Sequence, residues 1–293
     1  MSLPATSANL GPGFDAAGLA LSMRLRAEAE VASDFEIQAT GRNAELCSWL
    51  EGNLLLETYR DVLARAGRAV LPLRIRLQNE IPLGMGCGSS AAAILAGVAL
   101  ADHFGSLQMG DEGIVAEASR VEGHPDNVAA CWYGGFTVSA QDGDAVRAAT
   151  FAGDPEWSML LALPSASLAT KQARALLPEE YAKADAIFNV QRASLLVAAF
   201  AQRRLELLRT AMQDQMHQPY RMEACPLLKT LLPLAADPKF AGVALSGAGP
   251  SLLIFLAAET TVAEGESAVR GFAGPEVEVV SLRIGHGAEK SLL

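Results

Sequence analysis

The run Pro82-Leu-Gly-Met-Gly-Cys-Gly-Ser-Ser-Ala-Ala-Ala-Ile-Leu95 constrains this chain more than any other stretch: three alternate glycines lead through two serines into an apolar segment. Gly84, Gly86 and Gly88 can adopt positive φ and let a ligand approach the backbone closely. Ser89 or Ser90 suits the cap of a helix that starts here. The free N–H groups and positive dipole end of that helix face the loop, so a phosphate is the natural occupant. A Walker A loop ends in Gly-Lys-Ser/Thr, whereas this one ends Gly88-Ser89-Ser90, and without the lysine that reading fails. Gly86-x-Gly88-x-x-Ala91 does satisfy the dinucleotide fingerprint. The preceding segment, Leu73–Gln78, alternates apolar and polar residues, as in a sheet with one wet face, while a first Rossmann strand is buried on both faces. A glycine-rich turn without a ligand is the plain alternative.

Composition narrows the partners. The chain has 293 residues, enough for one large or two modest domains. Its net charge of −10 and lack of a long basic run argue against nucleic acid or an anionic membrane as the main partner. Cys47, Cys87, Cys131 and Cys225 form no C-x-x-C pair, which reads as reduced thiols in a cytoplasmic protein. The four histidines show no H-E-x-x-H spacing, no signal peptide is visible, and the apolar stretch Ala91–Ala101 is too short to span a bilayer.

Periodicity predicts strands at Leu73–Gln78, Ala27–Ala32, Phe136–Ser139 and Ser158–Leu163, and a strand–turn–strand over Val243–Leu256 followed by Val277–Leu282. Helices are predicted over Leu54–Ala66, Ser90–Phe104, Asp111–Val121, parts of Tyr181–Met216, Pro226–Ala235 and Thr261–Phe272. The pattern restarts near Ala152–Pro155, which sets domains at 1–153 and 154–293. Without a regular βαβ rhythm, the class is α+β.

Three further clusters are candidates for chemistry. Pro4–Gly18 holds glycines, hydroxyls, Asn9 and Asp15 before any long apolar run, and reads on composition as a loop. Glu122-Gly-His-Pro-Asp-Asn127 packs acid, imidazole, acid and amide into six residues, with a polar turn as the plain reading. Ser246-Gly-Ala-Gly-Pro-Ser251 is explained as a tight hairpin turn by its glycines and proline alone.

Taken in order, these motifs resemble the small-molecule kinases that include galactokinase, homoserine kinase, mevalonate kinase and phosphomevalonate kinase (the GHMP kinases). Pro82-x-x-x-Gly86-x-Gly88-Ser89-Ser90-Ala91 is similar to their central ATP-binding motif, with Cys87 where leucine is usual. The resemblance implies ATP contacts from Pro82, Gly84, Met85, Gly86, Cys87, Gly88, Ser89, Ser90 and Ala91. It implies an N-terminal domain like ribosomal protein S5 domain 2, a ferredoxin-like C-terminal domain, and a site between them. The first motif and the His124–Asn127 segment resemble the homoserine kinase branch in particular. That likeness implies substrate contacts from Asn9, Asp15, His124, Asn127, Arg174, Arg221, Gly247 and Gly249. Asp15 would take the ammonium, and the two arginines the carboxylate, of L-homoserine. It implies Mg²⁺ on Ser90 and a carboxylate: Glu122 matches by its following glycine, Glu117 by distance, and Glu122 is preferred. Catalytic roles would fall to Ser90, Glu122 and Asn9, with no general base assigned. The expected activity is phosphorylation of the homoserine side-chain hydroxyl by ATP. A homodimer is allowed for. A related kinase of mevalonate or a sugar, or a non-catalytic metabolite sensor, is the alternative.

Overall fold

The protein is described by a computed structural model covering residues 1–166 and 170–291. Its first sheet is built on a long hairpin, β1 (Ser2–Asn9) and β2 (Gly13–Val31), paired from Ser2↔Arg26 to Asn9↔Gly13. Around it stand β3 (Glu36–Gly41), β4 (Leu73–Asn79), β5 (Phe136–Asp142) and β6 (Ala145–Phe151), in the order β3-β4-β2-β5-β6 with β1 on β2. β4 shows the alternation its sequence predicts: Leu73, Ile75 and Leu77 point into the core, while Arg74, Arg76 and Gln78 are exposed. The helix Ser89–Gly105 is apolar on nearly every side because it lies centrally, against the Leu54–Arg65 helix and the sheet.

The second sheet has four antiparallel strands: β7 (Met159–Leu163), β8 (Phe240–Leu245), β9 (Leu252–Leu256) and β10 (Glu278–Leu282), in the order β10-β7-β9-β8. The central strands are buried throughout because both faces are covered. Their period of two divides them cleanly. Leu160, Ala162, Ile254 and Val243 meet the Pro226–Leu231 and Val262–Ala273 helices, while Met159, Leu161, Leu253 and Phe255 join the core of the first sheet. Phe200, on the Lys183–Gln202 helix, joins the two halves: it stacks on Phe136 of β5 at 4.0 Å and meets Phe255 of β9 edge-on at 6.1 Å.

Beyond β10 the backbone returns to the first sheet. Gly285 N–H donates to Ala20 O (2.8 Å), and Ser2 and Glu289 exchange two backbone hydrogen bonds (2.8 and 2.9 Å). Among the described residues no helix is long and apolar enough to cross a membrane, and the four cysteines are free thiols.

The α+β expectation stands. Most predicted elements occupy their expected places, but the Pro4–Gly18 segment is no loop. It forms β1, a tight turn and the start of β2, with Thr6 and Ser7 fully buried. Ala27–Ala32 is only the far end of β2. Asp126–Asn127 opens a helix, Asp126–Tyr133, where a polar turn was expected. Neither serine caps the Ser89–Gly105 helix; Gly88 does, in the left-handed conformation.

Candidate active site

The β1–β2 turn is the first component. Asn9, Leu10, Gly11 and Asp15 all have positive φ, so the chain reverses sharply and presents Asn9, Phe14 and Asp15 at one end of the sheet. Asn9 is almost fully buried and committed on both sides. Its Nδ2 donates to Gly247 O across the domain boundary (2.8 Å), and its Oδ1 accepts from Asp15 N–H (3.1 Å). Asp15 accepts a forked pair of bonds from Arg174 at 2.6 and 2.9 Å.

The glycine loop is the second. Gly84, Gly86 and Gly88 have φ of 69°, 72° and 69°. At two of them the requirement comes from the protein itself. A Cβ on Gly86 would collide with Ser246 O, and one on Gly88 with Thr6 Oγ1. The loop is thus pressed between β1 and the Ser246–Ser251 turn, whose Ser246 hydroxyl donates to Gly86 O (2.7 Å). Among the described residues the backbone N–H groups of Gly88, Ser89, Ser90 and Ala91 find no acceptor. They form the donor-rich helix start that an anion fits.

Ser90 instead hydrogen-bonds Glu122 Oε2 at 2.7 Å. Glu122 is the last residue of the Gly110–Glu122 helix, which Gly123 terminates in the left-handed conformation. Burial raises the Glu122 carboxyl above its ordinary range, and the Ser90 hydrogen bond only partly opposes this. A buried, under-neutralised carboxylate beside a hydroxyl is a hard-oxygen donor set that fits Mg²⁺. Glu117 lies elsewhere, held by Arg65 (2.8 Å) and Arg120 (2.8 and 3.0 Å). Asp15, His124 and Asp126 also come close enough to one another to hold a cation. Both carboxylates already have partners: Asp15 binds Arg174, and Asp126 accepts from His124 Nδ1 (2.5 Å) and Asn127 N–H (2.6 Å). Burial disfavours the His124 imidazolium, but the Asp126 hydrogen bond and charge, with Glu122, outweigh it and raise the pKa. Asn127 Oδ1 accepts from Thr6 Oγ1 (2.7 Å) and so joins this segment to β1.

The two arginines come from short helices of the second half, Thr170–Arg174 and Gln218–Arg221. Arg221 is 1 % exposed. Its Nε donates to Ala173 O (3.3 Å), and its Nη1 to His217 Nδ1 (3.1 Å) and Gly247 O (3.3 Å). Burial, then the nearby Arg174 charge, lowers its pKa. Both guanidinium carbons lie 5.6 Å from the centroid of the Phe14 ring.

A cavity of about 200 Å³ gathers these groups. Of the candidate residues, Asn9, Asp15, Gly84, Gly86, Cys87, Gly88, Ser89, Ser90, Glu122, His124, Asn127, Arg174, Arg221 and Gly247 line it. Pro82, Met85, Ala91, Gly249 and Glu117 do not. Sequence reading missed Phe14, which no motif chemistry singles out, and His217. The signal for His217 was its place four residues before Arg221, at the cap of the short helix that carries it.

Residues 53–135 match the family description "GHMP kinases N terminal domain", and residues 196–274 match "GHMP kinases C terminal". Homoserine kinase of Solibacter usitatus is 44% identical over 256 residues, covering 87% of this chain and 84% of that protein. A homoserine kinase of Thermus thermophilus is 39% identical over 289 residues, covering 97% and 96%. The crystal structure of homoserine kinase from Cytophaga hutchinsonii superposes with a TM-score of 0.80 at 25% identity, covering 98% of this chain and 94% of that one. The chain belongs to the homoserine kinase family of the two-domain GHMP kinases.

Proposed function

We propose that the chain transfers the γ-phosphoryl group of ATP to the side-chain hydroxyl of L-homoserine, giving O-phospho-L-homoserine and ADP on the route to threonine, in the cytoplasm. One observation carries the reading beyond family likeness: a helix start with unpartnered N–H groups faces a paired acid and base, Asp15 and Arg174, within one cavity. A triphosphate suits the first, and the zwitterionic end of an amino acid suits the second. The substrate ammonium replaces Arg174 at Asp15, and the substrate carboxylate takes Arg174 and Arg221. Forked guanidinium donors match a carboxylate's geometry.

In this reading residues 1–153 hold the nucleotide and residues 154–293 supply the carboxylate readers. Phosphoryl transfer requires mainly positioning and neutralisation of charge. The loop from Gly84 to Ser90 orients the triphosphate. Ser90 and Glu122 would hold Mg²⁺, which supplies neutralisation of the phosphate oxygens. Asn9 ties the hairpin tip to Gly247 and so fixes the distance between the two substrates. The hydroxyl oxygen bonds to the γ-phosphorus, the bond to the ADP oxygen breaks, and the hydroxyl proton is released. Asp126 holds His124 and Asn127 through Oδ1, and neither it nor Asp15 is assigned as the proton acceptor.

Release of ADP, coupled to a second enzyme, tests the reading across homoserine, mevalonate, shikimate and galactose. Homoserine is expected to be the substrate turned over. Turnover of mevalonate or galactose with none of homoserine would place the chain in another branch.

A further inference from the structure

Two buried groups, Asp214 and His217, are linked to Arg221 and have no part in the phosphoryl transfer described above. Asp214 accepts from the backbone N–H groups of Met216 (2.9 Å), His217 (3.0 Å) and Gln218 (2.7 Å), and from Asn189 Nδ2 (2.8 Å). These bonds fix the start of the short helix that carries Arg221 and hold His217 immediately before it. His217 has no exposed surface. Its Nε2 lies 2.7 Å from Gly11 O, in the β1–β2 turn, and its Nδ1 lies 3.1 Å from Arg221 Nη1.

The partners assign the tautomer. A carbonyl can only accept and a guanidinium can only donate, so the ring carries its proton on Nε2 and a lone pair on Nδ1. An imidazolium would turn a second donor against Arg221. Burial keeps the His217 pKa below its ordinary range. The Arg221 charge acts in the same direction, against Asp214 and the more distant Asp15. The ring face also stacks on Phe14, with centroids 5.5 Å apart. Arg221 Nη2 has no acceptor among the described residues, although the side chain lines the cavity. The imidazole therefore occupies one end of the guanidinium and leaves the other for a ligand.

We propose that His217, as a neutral Nε2–H imidazole, is the positioning residue that sets Arg221 against the substrate carboxylate and registers it with the hairpin tip bearing Asn9 and Asp15. This rests on the reading of Arg221 as a carboxylate reader. One ring spans the two halves of the molecule: its donor holds the turn of the first motif, and its acceptor holds the arginine of the second half.

Steady-state kinetics with homoserine and homoserine amide test it, using His217→Leu, His217→Gln, His217→Asn and Arg221→Leu. His217→Leu removes both ring contacts and is expected to raise the homoserine KM by about tenfold or more, the cost of a misplaced charge-assisted hydrogen bond. The amide KM and the ATP KM are expected to stay within about twofold. Glutamine keeps one donor and one acceptor at imidazole-like separation and should restore most of the loss; the shorter asparagine should not. Should His217→Leu fail to fold, the glutamine–asparagine contrast carries the test. In an Arg221→Leu background, His217→Leu should add little. Equal losses on acid and amide, or additive losses with Arg221→Leu, would overturn the positioning role. If Arg221→Leu itself affects acid and amide alike, the carboxylate reading fails first and the proposal falls with it.

Discussion

Replacing Gly88 by alanine separates two reasons for a glycine at the mouth of the phosphate loop. Its φ of 69° lies in the left-handed region, where an L-residue costs about 1–2 kcal/mol. The new methyl would overlap Thr6 Oγ1 and approach Thr6 Cβ at 3.1 Å. Thr6 is fully buried, and its hydroxyl holds Asn127 at 2.7 Å. Displacing it leaves a buried polar group without its partner, at a further cost of about 1–3 kcal/mol. The sum, roughly 2–5 kcal/mol, corresponds to a fall in Tm on the order of 10 °C for a domain of this size. Differential scanning calorimetry without nucleotide reads it directly. The double variant Gly88→Ala/Thr6→Ala lacks the overlapping oxygen, so its destabilisation should fall short of the sum of the single variants by about 1 kcal/mol. A Gly88→Ala protein melting within a degree or two of the parent, or strictly additive variants, would refute the packing argument. The glycine would then serve the ligand alone, and only the ATP Kd should change.

Other expectations are as direct. Glu122→Gln should lower turnover by about a hundredfold and raise the Mg²⁺ requirement, since it removes the charge beside Ser90. Glu117→Gln should cost on the order of 1 kcal/mol of stability, through ion pairs whose arginine ends are half exposed, and leave turnover nearly unchanged; the reverse ranking would transfer the metal role to Glu117. Arg221→Leu should lower kcat/KM for homoserine by about ten- to a hundredfold with little change in the ATP KM, and an ATP KM that rises equally would place Arg221 at the phosphates. The pKa of His124 is raised, so the stability it contributes is complete below the ordinary histidine range and is lost as pH rises through the raised value. In urea unfolding from about pH 5.5 to about pH 9, the gap between the parent and His124→Gln should narrow as pH increases; a widening gap would contradict the assignment.

What the sequence revealed depended on how far each signal reached. β4 and the Ser89–Gly105 helix were legible because their burial is set by local period: one face of a strand, every face of a central helix. The β1–β2 hairpin was not. Thr6, Ser7 and Asn9 are polar residues inside a strand covered on both sides; Thr6 and Asn9 are satisfied by Asn127 and Gly247, remote in sequence, and the buried Ser7 hydroxyl has no partner among the described residues. β3 and β6 are short and largely exposed at the sheet edges, where alternation is weak. Motif spacing identified most of the cavity wall but not its internal pairing. The choice between Glu122 and Glu117 turns on which one meets Ser90. The engagement of Asp15 by Arg174 depends on the docking of two halves that no local pattern encodes. Phe14 and His217 act through their neighbours, so their residue types alone announced nothing.

The return of residues 284–289 to the first sheet bears on the order in which the molecule is made. A ribosome delivers β1 and β2 early, yet the backbone groups of Ser2, Ala20 and Trp132 that pair with this segment meet these partners only once residues 285–289 have been synthesised. The earlier half therefore stays unfinished until those residues emerge, with open hydrogen-bonding positions at its margin, and the usual advantage of folding N-terminal domains first is partly forfeited. The same closure makes Ser2 and Glu289 immediate neighbours, so a short linker could join them and new ends could be opened at the exposed Gly143–Asp144 tip between β5 and β6. In such a permuted chain residues 284–289 would be made directly before the strands they complete.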